Sequence, residues 1–252
     1  MTLLAIASIT VREALRRKVQ VNLLLFGLFL VATSYFVSEL TLGEMHRVIS
    51  DLGLSSMELI GTLLAAFLGA GLVAGDIERR VIYPVIAKPV SRTGYVVGRY
   101  LGLSAVLLGN LAVMAAALSV VLVLDAGSAR PLDTALLAAF AGIALQLLVV
   151  AAVAVLFSSL TSTTLASIFT LALAIAGHLS NEVRALSTGA SAGLAKALWY
   201  VVPNLAALTL DDAVIYHRPV PASAVTAAGY GLAYAALAVA LASIAFSRRD
   251  LR

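Results

Sequence analysis

The pentapeptide Gly189-Ala190-Ser191-Ala192-Gly193 has the Gly-x-Ser-x-Gly spacing of a hydrolase nucleophile elbow. Asp211 or Asp212 and then His217 follow it, in the chain order Ser, Asp, His. On an α/β sheet such a set would supply a serine nucleophile, an imidazole base and an orienting carboxylate for acyl transfer. That chemistry needs a strand before the serine and a helix after it. Here the pentapeptide lies in an Ala- and Gly-rich stretch and reads as a flexible turn between short helices. Other reactive groups are sparse. His46, His178 and His217 are far apart and share no ligand spacing. There is no cysteine, so no thiolate metal site and no disulfide framework. No Gly-Lys dipeptide occurs, so the chain holds no Walker A loop.

The elements around these residues are those of a membrane protein. Of the 252 residues, 62% are hydrophobic and 12% charged. Soluble domains carry about twice that charge. One globule of this length cannot hide so much apolar surface, so lipid is the expected solvent. Charged residues cut the chain into uncharged runs at 19–38, 59–75, 100–124, 134–181 and 219–247. A spanning helix takes about 20 apolar residues. The run 134–181 is long enough for two, and its polar cluster Ser158–Thr164, SSLTSTT, is the natural break. The fold class expected is all-α, with six transmembrane helices at 20–39, 56–75, 101–124, 134–157, 164–181 and 222–246. Residues 2–18 form an amphipathic interfacial helix, with Leu4, Ala7, Val11, Ala14 and Leu15 opposite Arg12, Arg16 and Arg17. Its charges follow the apolar stretch, the reverse of a signal peptide.

Lys and Arg orient the spans. Arg12, Arg16, Arg17, Lys18, Arg79, Arg80, Lys88, Arg92, Arg99, Arg248, Arg249 and Arg252 fall on one side. Only Arg47, Arg130, Arg184, Lys196 and Arg218 fall on the other. The richer side is expected to be cytoplasmic, with both termini there and the protein multi-pass in the cytoplasmic membrane. The net charge of +4 is then a topology signal, and nucleic acid is not an expected partner. Polar residues inside the spans are few: Asn110, Gln146 and His178. No acid is expected in mid-span, which leaves a proton- or sodium-coupled carrier little to work with. His178 reads as a neutral interfacial histidine near the outer end of its span. Gly71 with Gly75, and Gly98 with Gly102, are small-xxx-small pairs that permit close helix contact, as in a dimer.

Between spans 2 and 3 lies the most polar and punctuated loop, residues 76–98. Ile77, Val81, Ile82 and Val85 make an apolar stripe on a short helix, with Glu78, Arg79 and Arg80 on other faces. Asp76 suits the N-cap of that helix. Pro84 would interrupt it and Pro89 would stop it. The segment reads either as a basic loop that fixes topology or as a docking element for a cytoplasmic partner.

The stretch GDIERRVIYPVIAKPVSRTGYVVGRYLG, residues 75–102, resembles the signature of bacterial and archaeal type-2 ABC exporter permeases. The matching positions are Asp76, Glu78, Arg79, Arg80, Ile82, Tyr83, Lys88, Pro89, Val90, Ser91, Arg92, Gly98, Leu101 and Gly102. Val81 stands where the family commonly has threonine, and Arg99 where it commonly has lysine. The N-terminal REALRRK, the six expected spans and YVVPN at Tyr200–Asn204 agree with the resemblance.

The resemblance implies a permease subunit of an ABC exporter, paired with a second copy of itself on two ABC ATPase subunits. ATP and Mg would belong to the ATPase, and this chain would hold no cofactor. It implies a coupling helix in the loop, with Asp76, Glu78, Arg79, Arg80, Tyr83, Pro84, Lys88, Pro89 and Arg92 as the ATPase-coupling residues. The SSLTSTT turn would make a second, smaller contact. It also implies re-entrant helices in an external gate segment, 182–221, with His178, Trp199, Tyr200 and Pro203. The lipid bilayer is an expected partner, with room for an extracytoplasmic accessory protein. The alternatives are the permease of a metalloenzyme- or haem-protein-maturation complex and, from another class, an intramembrane hydrolase or scaffold.

Overall fold

Leu, Ala and Val dominate the long uncharged runs, and the only prolines in them, Pro219 and Pro221, stand at the very start of the last run, so long helices can form with their backbone hydrogen bonds satisfied within the segment. In the computed structural model the described residues are 3–39, 45–78, 91–126, 133–180, 202–216 and 218–248. The helices are α1 (Leu3–Leu15), α2 (Lys18–Glu39), α3 (Met45–Glu78), α4 (Arg92–Ala126), α5 (Thr134–Leu160), α6 (Thr163–His178), α7 (Asp211–Ile215) and α8 (Ser223–Arg248). A 3-10 turn covers Ala206–Leu208. The described residues contain no strand.

Among the described residues, five helices are long and apolar enough to cross a membrane: α2, α3, α4, α5 and α8. The sixth expected crossing falls on α6, which has 16 residues. At 1.5 Å per residue it is about 24 Å long, short of the roughly 30 Å hydrocarbon core. The polar run SSLTSTT contains the break between α5 and α6, where Thr161 caps one helix and Ser162 precedes the next.

α3 is the central helix, packed on α2, α4, α5, α6 and α7. Its Leu54, Met57, Ile60 and Leu64 are fully enclosed, as are Leu103, Leu107 and Leu118 of α4. α2 is the least covered of the five, with Leu25, Phe26, Phe29 and Phe36 exposed. Such exposure is expected where hydrocarbon or another apolar surface is the neighbour.

α1 lies along the start of α4. It buries Ile6, Thr10 and Ala14, while Leu4 and Leu15 of the expected apolar stripe are exposed. The contact depends on Gly98 and Gly102. A Cβ at Gly98 would lie 2.8 Å from Ile6 Cβ, and one at Gly102 would lie 2.5 Å from Thr10 Cβ and 2.7 Å from the Ala7 carbonyl oxygen. The Gly98–Gly102 pair, read as a dimer contact, is therefore filled from within the chain. Its small residues admit α1 rather than a second copy.

Candidate functional site

One end of the bundle gathers the ends of α3, α5 and α8 with the starts of α4 and α6, and α1 lies across it. Asp76, two residues before the end of α3, faces α4. Tyr95 and Arg99, one turn apart on α4, both donate to its carboxylate. Arg99 Nε also donates to the Tyr95 hydroxyl at 3.2 Å. The other guanidinium nitrogen reaches α1, donating to Glu13 at 2.7 Å and to Thr10 Oγ1 at 3.4 Å. Glu13 in turn accepts from Arg17 at 2.7 Å. Burial acts to raise the Glu13 carboxyl, but hydrogen bonds from Arg99 and Arg17 outweigh it and hold the group below the usual range. Phe246 of α8 stacks on Tyr95, 5.6 Å between ring centres. A planar guanidinium suits this position because its fork serves several acceptors at once.

This corrects the expected role of Asp76. It is not the N-cap of a following helix, because α3 continues through Glu78. Its carboxylate is turned inward to α4, where a buried cation balances it.

Glu78, the last residue of α3, makes a second tie. It accepts the Thr163 backbone N–H and the Thr163 hydroxyl, each at 3.0 Å. Ser162 makes no side-chain cap for α6, so a carboxylate from another helix takes that place at a terminus that favours negative charge. Just inside, Ser158 Oγ accepts the N–H groups of Val73 and Ala74 and donates to the Ala70 carbonyl at 2.6 Å. α3 and the α5–α6 turn are thus bonded along two turns of helix. Arg92 donates to the Ser247 carbonyl at 2.8 Å and ties the start of α4 to the end of α8.

A family model described as ABC-2 family transporter protein matches residues 3–251. The chain belongs to the ABC-2 transporter family. Membership makes it a multi-pass membrane permease that associates with an ABC ATPase subunit. Among curated proteins, none matches the chain. For an ABC-2 permease, the end of the bundle that carries Asp76, Glu78 and Arg92 is the end from which residues 79–90 leave and return. Arg79, Arg80, Tyr83, Pro84, Lys88 and Pro89 lie outside the described residues. The residues that sequence reasoning passed over are Glu13, Tyr95 and Arg99. Glu13 lies within REALRRK and Arg99 departs from the lysine of the resembled signature, but neither feature marks the two as partners.

The opposite end of the permease holds a second polar group. His178 Nδ1 lies 3.3 Å from Glu58 Oε1. Gln146 of α5 is 1% exposed, interacts with Glu58, and donates to the Leu205 carbonyl at 3.3 Å and to Thr209 Oγ1 at 2.9 Å. Pro203 packs so closely that a Cβ at Gly177 would meet its carbonyl oxygen at 2.7 Å. Asn204 accepts from Ser180 at 2.8 Å, and its N–H donates to Tyr230 at 3.0 Å. Arg47 donates to the Tyr216 hydroxyl at 2.9 Å and lies over its ring. Asp211 opens α7 beside this group. Burial first, and then Glu58, Asp51 and Asp212, push its carboxyl up to about 7. Of the expected gate residues, His178 and Pro203 meet here. Trp199 and Tyr200 lie outside the described residues, as do Ser191 and His217 of the hydrolase pattern.

Proposed function

We propose that this chain is the permease subunit of an ABC exporter, working as a homodimer on two ATPase subunits that bind and hydrolyse ATP with Mg. The excess of Lys and Arg puts the end bearing α1, Glu78 and Arg92 in the cytoplasm, with both termini. In this reading α6 is the sixth crossing, short enough to thin the local bilayer or to be completed by residues beyond His178. Residues 79–90 form the coupling helix, and residues 182–221 close the external side.

The observation that carries this reading is the bond from Glu78 to Thr163. It fastens the last residue before the coupling segment to the turn between α5 and α6. A push on the coupling segment would reach α3 and α6 together rather than bending a free loop. The Asp76–Arg99–Glu13 chain would carry the same displacement to α4 and α1.

The test is purification of the chain with its ATPase. Reversing charge at Glu78, Arg79 and Arg80 together should abolish stimulation of ATP hydrolysis by the permease while leaving the permease folded. Stimulation that survives the triple reversal, or a permease that retains no ATPase through purification, would refute the coupling assignment.

A further inference from the structure

Between α3 and α6, on the half of the bundle away from α1, lies a cleft of about 340 Å³. Its walls are hydrocarbon, chiefly Leu59 and Leu63 on one side and Leu171 and Ile175 on the other. At one end stands the carboxylate of Glu58, on a span and 17% exposed. One of its oxygens, Oε1, is fully enclosed and has no hydrogen-bond partner. Among the described residues no Lys or Arg makes a salt bridge to Glu58, and its nearest basic neighbour is His178, which balances the charge only when protonated.

An acid at this depth is costly unless a cation answers it. By contrast, the buried carboxylate of Asp76 is answered by Arg99 from within the chain. Glu58 has no such answer, and the Asp211 carboxyl lies close enough to sense its charge. Apolar walls beside a carboxylate whose polar neighbours are the neutral amide of Gln146 and the imidazole of His178 make a site complementary to a ligand that is itself apolar and positively charged.

We propose that the α3–α6 cleft binds a lipophilic organic cation, with Glu58 as its counter-charge. This deepens the permease reading by naming a substrate class, and it rests on that reading only for the step of transport, not for binding. Zwitterionic lipid would fill the walls equally well, but its ammonium brings a phosphate beside it, so it offers the carboxylate no net positive charge. A neutral or anionic guest would raise that cost.

The test uses the full chain in phosphatidylcholine nanodiscs, with empty nanodiscs as the blank and no ATPase present. Tetraphenylphosphonium and tetraphenylborate have nearly the same shape and opposite charge. The expected result is saturable binding of tetraphenylphosphonium and none of tetraphenylborate. Glu58→Gln should weaken the cation at least tenfold, and Glu58→Asp should keep the preference for the cation. Equal binding of both ions would show an unspecific lipid-filled groove and overturn the proposal. So would cation affinity unchanged in Glu58→Gln. Because no ATPase is present, failure here leaves the coupling result of the preceding section untouched.

Discussion

Arg99 brings a full positive charge to a buried position, and two carboxylates and a phenol are arranged around it. Breaking such a set by removing one member leaves the rest uncompensated, which typically costs about 3–5 kcal/mol. Arg99→Ala is expected to lose stability of that order in denaturant unfolding of the detergent-solubilised protein. Arg99→Lys should lose less, since an ammonium keeps the charge but cannot span Asp76 and Glu13 as a planar fork does. A lysine variant as unstable as the alanine one would contradict this account. Asp211 makes the opposite case. Its carboxyl is raised from 3.8 to about 7, so folding favours the protonated form. The contribution is fully present below about pH 4 and is lost as pH rises through 7. Asp211→Asn should therefore leave stability at pH 4 unchanged and raise it at pH 8 by about 2–4 kcal/mol. Thermal unfolding at the two pH values reads this directly. At this scale the sequence was least informative. Glu13 and Arg99 are 86 residues apart, and nothing local to either marks the other as its partner. Asp76 misled for a different reason: an acid before an apolar stripe looks like a cap whenever the end of the preceding helix is unknown.

The cross-helix cap at α6 belongs to the scale of elements. Thr163 N–H has its partner on α3, not in its own turn. Glu78→Ala should cost about 1 kcal/mol, the usual value of a lost cap. It should also speed amide exchange at the first turn of α6 while leaving the middle of α5 protected. The seat of α1 gives a steric prediction. Gly102→Val places a branched side chain where even a Cβ would meet Thr10 and the Ala7 carbonyl. α1 must then lift from α4, and limited trypsin should cut at Arg16, Arg17 or Lys18 faster than in the parent protein. The long helices were legible because charge-free runs leave few alternatives in lipid. The break between α5 and α6 was legible because hydroxyl residues cluster there. What could not be read was the use of Gly98 and Gly102, since a small-residue pair specifies a close neighbour without naming it. The neighbour proved to be the chain's own first helix.

At the scale of the whole molecule, the two polar groups sit at opposite ends of α3, which runs between them as one continuous helix. A rigid rod joined to Arg99 and Thr163 at its last turn and, through Glu58, to His178 part-way along its length can pass on a small displacement without a wire of side chains. The absence of cysteine makes this testable without background labelling. Single cysteines at Ser8 and Ser247 should react with a membrane-impermeant maleimide from the same side, and one at Asp212 from the other. Labelling of Ser8 and Asp212 from one side would overturn the orientation. The seat of α1 also has a consequence for biogenesis. α1 is synthesised before α4, and its receptor glycines lie some 85 residues later, on a helix that must itself enter the bilayer. At about 5–20 residues per second, α1 waits roughly 4–17 seconds for Gly98 and Gly102 to emerge. During that interval the bond from Arg17 to Glu13 and the bond from Thr10 to the Ile6 carbonyl can satisfy its polar face from within one helix. The same residues later clasp Arg99, so nascent α1 carries provisional partners that it exchanges for permanent ones when α4 arrives.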